Sequence, residues 1–231
     1  MRLDKFLANM GVGTRSEVKQ LLKKNQVQVN GKNEKQSKAQ IDPQSDEITV
    51  NGNLIEYVDK VYIMLNKPAG YISATEDDEQ PTIVSLIKDF QHLKIFPVGR
   101  LDKDTEGLIL LTNDGQFNHD IMSPNKHVTK IYRVEAKHFI SDDDIEKFAE
   151  GIELSDGKTK PARLERTENE KIVSVSIQEG RYHQVKRMFH AIDNEVLNLK
   201  RVQIGKLKLD SNLSKGSYRE LTEEELELVK Q

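Results

Sequence analysis

The chain has 231 residues, with 35 Lys+Arg against 38 Asp+Glu, a formal net charge of -3 and 36% hydrophobic residues. That length is enough for a large and a small domain with buried cores, and apolar clusters recurring from Leu3 to Val229 at low net charge exclude general disorder. No apolar run approaches the roughly 18–20 residues of a membrane span, no export-type apolar stretch follows Met1, and the absence of cysteine excludes disulfides, a thiolate nucleophile and Cys-ligated zinc. A cytoplasmic protein without a membrane partner is the expectation.

Along the first 30 residues, Leu3, Phe6, Leu7 and Met10 recur at helical spacing, and Gly11 and Gly13 end that run. Thr14 precedes Glu17 by three, a capping-box pattern opening a second helix that carries Val18, Leu21 and Leu22 on one face and that Asn25 closes. Two Asn-Gly pairs, Asn30-Gly31 and Asn51-Gly52, each sit between short alternating runs and predict hairpins. Residues 1–40 hold nine basic and three acidic side chains, a formal +6, which leaves -9 for the remainder. A basic head on an acidic body argues for a polyanionic partner of the head, with Arg15, Lys19, Lys23 and Lys24 lying mostly off the apolar stripe; a merely solvated face is the alternative.

From Val61 onward the pattern becomes strand-rich. Strands are predicted at 61–65, 109–112, 129–134, 162–166 and 172–177, and helices at 82–88, after Gly115, and at 142–150, 182–191 and 223–230. Strands and helices do not alternate regularly, so an α+β body with a mixed, largely antiparallel sheet is expected rather than a doubly wound one. The boundary falls in residues 56–60, dividing a head with its linker, 1–58, from a body, 59–231.

Phosphate-binding, zinc-protease, nucleophile-elbow and dinucleotide fingerprints are all missing from the sequence. His183 and His190 stand seven apart and do not form a metal spacing. The stretch GRLDKDTEGLILLTNDG, from Gly99 to Gly115, packs charged and glycine residues against the apolar run 108–111, which implies a strand buried on both faces. Asp102 would then sit in a loop delivered by a rigid strand, although spacing alone leaves Asp104, Glu106 and Asp114 as competitors and a turn-forming role open. EGRYHQVKRM, from Glu179 to Met188, places Arg181, Lys186 and Arg187 where a cation could pair with a carboxylate or hold phosphate. KIYRV, from Lys130 to Val134, sets Tyr132 on a strand as an aromatic plane for a base.

The head, through RLDKFLA and TRSEVKQLLKKNQVQVNGK, resembles an S4 RNA-binding module over residues 1–47. NKPAGY, GRLDKDTEGLILLTNDG, KIYRV and EGRYHQVKRM, in that order, resemble the pseudouridine synthases of the RsuA branch, and the resemblance runs over essentially the whole chain to SYRELTEEELELV. It implies an S4-like α/β head before a pseudouridine-synthase catalytic domain, acting as a monomer, without cofactor or metal, on a uridine of small-subunit ribosomal RNA in an assembly intermediate. Carried over by position, the family's catalytic aspartate is Asp102, its base-stacking tyrosine Tyr132 and its basic partner Lys186. Several related branches have Arg at that last position, so the charge is kept and the bidentate fork is not. Arg100 matches the residue that helps displace the target base, and Arg2, Arg15, Lys19, Lys23, Lys24, Arg181 and Arg187 are the expected RNA contacts. Three other readings are carried: a non-catalytic RNA-binding or ribosome-assembly factor of this fold, a synthase acting on large-subunit ribosomal RNA, and a metal-dependent nuclease built on the four acids.

Overall fold

The computed structural model describes residues 1–123 and 126–231. The chain divides into two compact units, Met1–Val61 with Lys88–Ile95, and Tyr62–Ile87 with Phe96–Gln231.

The first unit contains α1 (Leu3–Asn9), α2 (Arg15–Lys23), β1 (Val27–Val29), β2 (Lys32–Asn33), β3 (Ile48–Val50) and β4 (Asn53–Leu54). Both halves of the expected capping box form: the Glu17 amide donates to Thr14 Oγ1, and the Thr14 amide donates to the Glu17 carboxylate at 2.7 Å. Asn25 follows the helix in the left-handed region, at φ 55°. Both Asn-Gly pairs have positive φ at each residue, the backbone that lets a two-residue turn match strand twist. The strands order as β2-β1-β3-β4, and Leu3, Phe6, Leu7, Val18, Leu22 and Val27 join Ile41, Ile48 and Val50 in one buried cluster.

The second unit contains β5 (Tyr62–Lys67), β6 (Phe96–Val98), β7 (Glu106–Thr112), α3 (Gly115–Met122), β8 (Lys130–Ala136), α4 (Asp142–Glu150), β9 (Glu153–Leu154), β10 (Gly157–Lys158), β11 (Arg163–Arg166), β12 (Ile172–Ile177), α5 (Gln184–His190), β13 (Val196–Ile204), β14 (Leu207–Lys208), β15 (Tyr218–Glu220) and α6 (Glu223–Val229). Its main sheet runs β11-β12-β8-β13-β7-β5-β15, with β14 paired to β13 and β6 to β7. The β13–β7 pair is parallel and the other described pairs of this sheet are antiparallel, so the α+β expectation of a mixed, largely antiparallel sheet holds. Leu108, Ile109, Leu110 and Leu111 are all fully buried on β7, which lies between β13 and β5. A strand covered on both faces loses the period of two and reads as a continuous apolar run.

The structure differs from the sequence expectations in several places, among them the short strands β6, β9, β10, β14 and β15, which the pattern does not predict. The segment expected as a helix at 82–88 forms only a 3-10 turn, Ile83–Leu86, because Thr82 and Ile87 on either side are extended and four residues cannot nucleate an α-helix. The helix expected from 182 begins at Gln184, since His183 takes a left-handed conformation at φ 48°. The nine-residue strand β13 was not expected at all. Register shifts between Val196 and Asn198 and between Arg201 and Gln203 break its alternation, which erases the sequence signal.

Candidate active site

Asp102 lies in the loop between β6 and β7, and that loop is fastened on both sides of it. Ser73 Oγ accepts from the Leu101 amide at 3.0 Å and donates to the Leu101 carbonyl at 2.9 Å. On the other side the fully buried Lys67 donates from Nζ to the carbonyls of Pro68, Lys103 and Thr105, the last at 2.7 Å. The Gly70 amide also donates to the Lys103 carbonyl, and the Thr105 amide closes a turn onto the Asp102 carbonyl. Burial pulls the Lys67 pKa from 10.5 down to about 8, against the attraction of Asp104, Asp102 and Glu106. All three ammonium protons are thus used to hold backbone, and Asp102 is presented by a loop with little freedom.

The carboxylate of Asp102 is about one-quarter exposed and meets two cationic or polar groups. Lys186 Nζ is 3.3 Å from Oδ2, and His183 Nε2 is 3.5 Å from Oδ1. Lys186 also reaches Asp104 at 2.6 Å, so one ammonium bridges both acids of the loop. Desolvation works against the charged Lys186, but the bonds to Asp104 and the field of Asp102 outweigh it and raise its pKa. For Asp104 desolvation acts upward, and the hydrogen bond and charge of Lys186 overcome it, so its pKa falls.

The helix α5 that carries Lys186 starts on the left-handed His183, whose ring stacks on Tyr182 with centroids 3.8 Å apart. Arg181 and Arg187 hold this start to the β9–β10 hairpin. Arg181 donates to the Gly157 and Lys158 carbonyls at 2.7 and 2.6 Å, and Arg187 pairs with Asp156 and donates to the Tyr182 carbonyl. Much of their donor capacity is therefore spent inside the protein.

A cleft of about 860 Å³ opens beside Asp102, lined among others by Arg100, Asp102, Lys130, Tyr132, His183 and Arg201. Its volume lies within the ~300–1,000 Å³ range of small-molecule sites and accommodates a nucleotide. Tyr132 projects from β8 and is 9% exposed; Arg201 faces it on β13 and Val175 on β12. Arg100 is exposed at the loop. Lys186 reaches Asp102 without lining the cleft itself.

Of the competing acids, Asp104 shares Lys186 with Asp102, and the other two are engaged elsewhere. Glu106 pairs with Lys215 at 2.8 Å beside a separate, smaller cleft, and Asp114 caps α3 through the Gln116 and Phe117 amides while accepting from Tyr62 Oη. Among the described residues no group of three His, Asp or Glu side chains is arranged to hold a metal. In the other unit, Arg15, Lys19, Lys23 and Lys24 are exposed, and Arg2 is bonded to Asp4. The sequence reading gives no site role to Lys67, Lys130 or Arg201, and weighs His183 only as a metal ligand. Lys67 ends a buried strand just before Pro68, and Lys130 shares the period of two with Tyr132, both of which were visible signals.

Residues 61–191 match the family model described as RNA pseudouridylate synthase, and residues 1–48 match the S4 domain. The chain is 49% identical over 234 residues to an uncharacterized RNA pseudouridine synthase of Bacillus subtilis, covering 99% of this chain and 98% of that protein. It is 42% identical over 232 residues to the ribosomal small subunit pseudouridine synthase A of Escherichia coli, covering 99% and 100% of the two. A solved structure described as a pseudouridylate synthase covers 99% of each chain at a TM-score of 0.70 and 40% identity. With an aspartate fastened at the mouth of a nucleotide-sized cleft and these likenesses along its full length, the chain belongs to the RNA pseudouridylate synthase family, as an S4-headed enzyme of the RsuA type.

Proposed function

We propose that this enzyme isomerises one uridine of small-subunit ribosomal RNA to pseudouridine, with Asp102 as the carboxylate that acts at the sugar. The N1–C1′ bond breaks, the uracil turns and C5 bonds to C1′, so no redox partner or group donor is consumed. Asp102 stabilises or traps the electron-poor C1′, as carboxylates do in other sugar-centre chemistry. Lys186 keeps that carboxylate aimed. Tyr132 stacks on the base after extraction from the RNA, which costs a few kcal/mol, and can assist in moving a proton.

Arg100, exposed beside Asp102, would fill the space the base leaves. Residues 1–58 would serve as the RNA-binding head, with Arg2, Arg15, Lys19, Lys23 and Lys24 on phosphate, and residues 59–231 as the catalytic domain. Arg181 and Arg187 would add positive potential near the cleft while holding the hairpin. The enzyme would act as a monomer in the cytoplasm on an assembly intermediate of the small subunit. The observation that carries this reading is Asp102 itself, fastened by Ser73 and Lys67 and paired to Lys186 beside Tyr132.

Pseudouridines mapped in small-subunit ribosomal RNA from cells with and without the protein test the substrate. One site should vanish with the protein and return with the wild-type gene, but not with Asp102→Asn, whose amide keeps the volume without the nucleophile. Full restoration by Asp102→Asn would remove Asp102 from the chemistry.

A further inference from the structure

Among the described residues, two cations line the cleft beside Tyr132 without an acid to balance them. Lys130 and Tyr132 lie two residues apart on β8 and so share a face, and Arg201 stands directly opposite Tyr132 on β13. Lys130 is 7% exposed and Arg201 3%. Facing Lys130 across the neighbouring strands are Ile177 on β12 and Ile204 on β13, both apolar. Burial lowers the Lys130 pKa to about 8, and its one acting charged neighbour, Arg201, pushes in the same direction.

Arg201 donates from Nε to the Leu108 carbonyl at 2.7 Å, and its Nη2 is buried without a hydrogen-bond partner. The acids that line the cleft are committed, Asp102 to Lys186 and His183, Glu179 to the Lys160 amide, Gln184 and Arg181, and Asp77 to the Glu79 and Gln80 amides. Burying two like charges side by side is unfavourable unless an anion arrives to meet them.

We propose that Lys130 and Arg201 form a cationic floor for the target uracil, Lys130 meeting a ring carbonyl oxygen and Arg201 adding its charge, so that the detached base is held as an anion beside Tyr132. This rests on the reading of the cleft as the uridine site. When N1–C1′ breaks, its electron pair leaves with the uracil, and the negative charge spreads over N1, O2 and O4. Bond formation from C5 returns a pair to C1′; the C5 proton then departs and N1 takes one up, so atoms and charge balance. A dry wall of fixed positive charge stabilises the ring through the interval in which it is bonded to neither position of the sugar. A phosphate of the RNA chain suits Arg100 better, because Arg100 is exposed.

The test is a single-turnover assay with full-length protein on small-subunit assembly intermediates whose ribosomal RNA carries tritium at uridine C5, reading label release. Wild-type and Asp102→Asn are run first; an inactive wild-type, or an active Asp102→Asn, defeats the proposed function and with it the floor. Given an active wild-type, Lys130→Met should lower the rate at saturating RNA by about a hundredfold, the scale of losing one donor to a developing anion. Half-saturating RNA and the salt dependence of binding should stay as in wild-type, and Lys130→Arg should recover part of the rate. Lys130→Gln is read the same way, with thermal melting confirming that each variant is folded. A higher half-saturating concentration with an unchanged saturated rate would assign the cations to phosphate and overturn the proposal, as would an unchanged rate in every folded variant.

Discussion

Replacing Lys186 by Met removes the one ammonium that bridges Asp102 and Asp104 while keeping most of the side chain's length and apolar volume. At 3.3 Å from Asp102 Oδ2, the pair interacts with about 5 kcal/mol at an effective dielectric of about 20. Both side chains are about one-quarter exposed, so solvent and salt screening reduce this to ~2–3 kcal/mol. Asp104 contributes little, because at 72% exposure water solvates it once the lysine is gone. If the charge on Lys186 is needed to aim and hold the Asp102 carboxylate in the rate-limiting step, the loss corresponds to a rate lower by about 30- to 160-fold. The assay is single-turnover pseudouridine formation at saturating RNA, with binding measured separately. Lys186→Arg should retain part of the activity, since the charge survives with a different geometry. A Lys186→Met enzyme with the wild-type saturated rate and only a raised half-saturating RNA concentration would make Lys186 a phosphate contact and refute its pairing role.

Three further outcomes are expected. Replacing Arg15, Lys19 and Lys23 together by Gln should weaken RNA binding and flatten its dependence on salt by about 0.7 in logarithmic slope for each single-strand phosphate that α2 no longer neutralises; an unchanged slope would mean that α2 is only solvated. Because the folded pKa of Lys67 is about 8 against 10.5 unfolded, the unfolded chain binds more protons between those values, so this lysine makes stability rise with pH through that window. Urea unfolding at pH 7.5 and 9.5 should show a gain of about 2 kcal/mol in wild-type relative to Lys67→Met, and an equal pH response in the two proteins would contradict the effect of burial. Gly107→Ala should destabilise by about 1–3 kcal/mol, since φ is +100° and a Cβ would lie 2.2 Å from the Arg201 carbonyl oxygen, forcing β7 and β13 apart. Gly115→Ala, with open space around its Cβ, is the matched control in thermal melting; equal melting temperatures would show that the parallel pair tolerates the intrusion.

Features whose cause lies within a few neighbouring residues were legible in the amino-acid sequence. The Thr14–Glu17 capping box closes over three residues, the Asn-Gly turns over two, and α4 appears at 142–150 as expected. The four-residue apolar run of β7 announced a strand buried on both faces, and hence a firm base for the Asp102 loop. Choosing Asp102 over Asp104, Glu106 and Asp114 exceeded what spacing carries and came from the resemblance of the long motif to a family; in the structure Glu106 pairs with Lys215 and Asp114 caps α3, while Asp104 shares Lys186 with Asp102.

What only the tertiary structure decided depends on groups distant in the chain. Strand β13 reads poorly because its bulges interrupt alternation, yet it supplies Arg201 to the cleft and the parallel partner to β7. His183 is turned toward Asp102 by a left-handed backbone that a helical pattern does not announce. The positions of Lys67 before Pro68 and of Lys130 in step with Tyr132 are visible in the sequence, but their burial is not. The loop that carries Asp102 takes up the Lys67 ammonium, and Lys130 is buried on the face of β8 that it shares with Tyr132 at the cleft. Local propensity and periodicity are short-range properties and survive in the sequence, whereas desolvation and the pairing of charges are set by whatever the fold brings alongside.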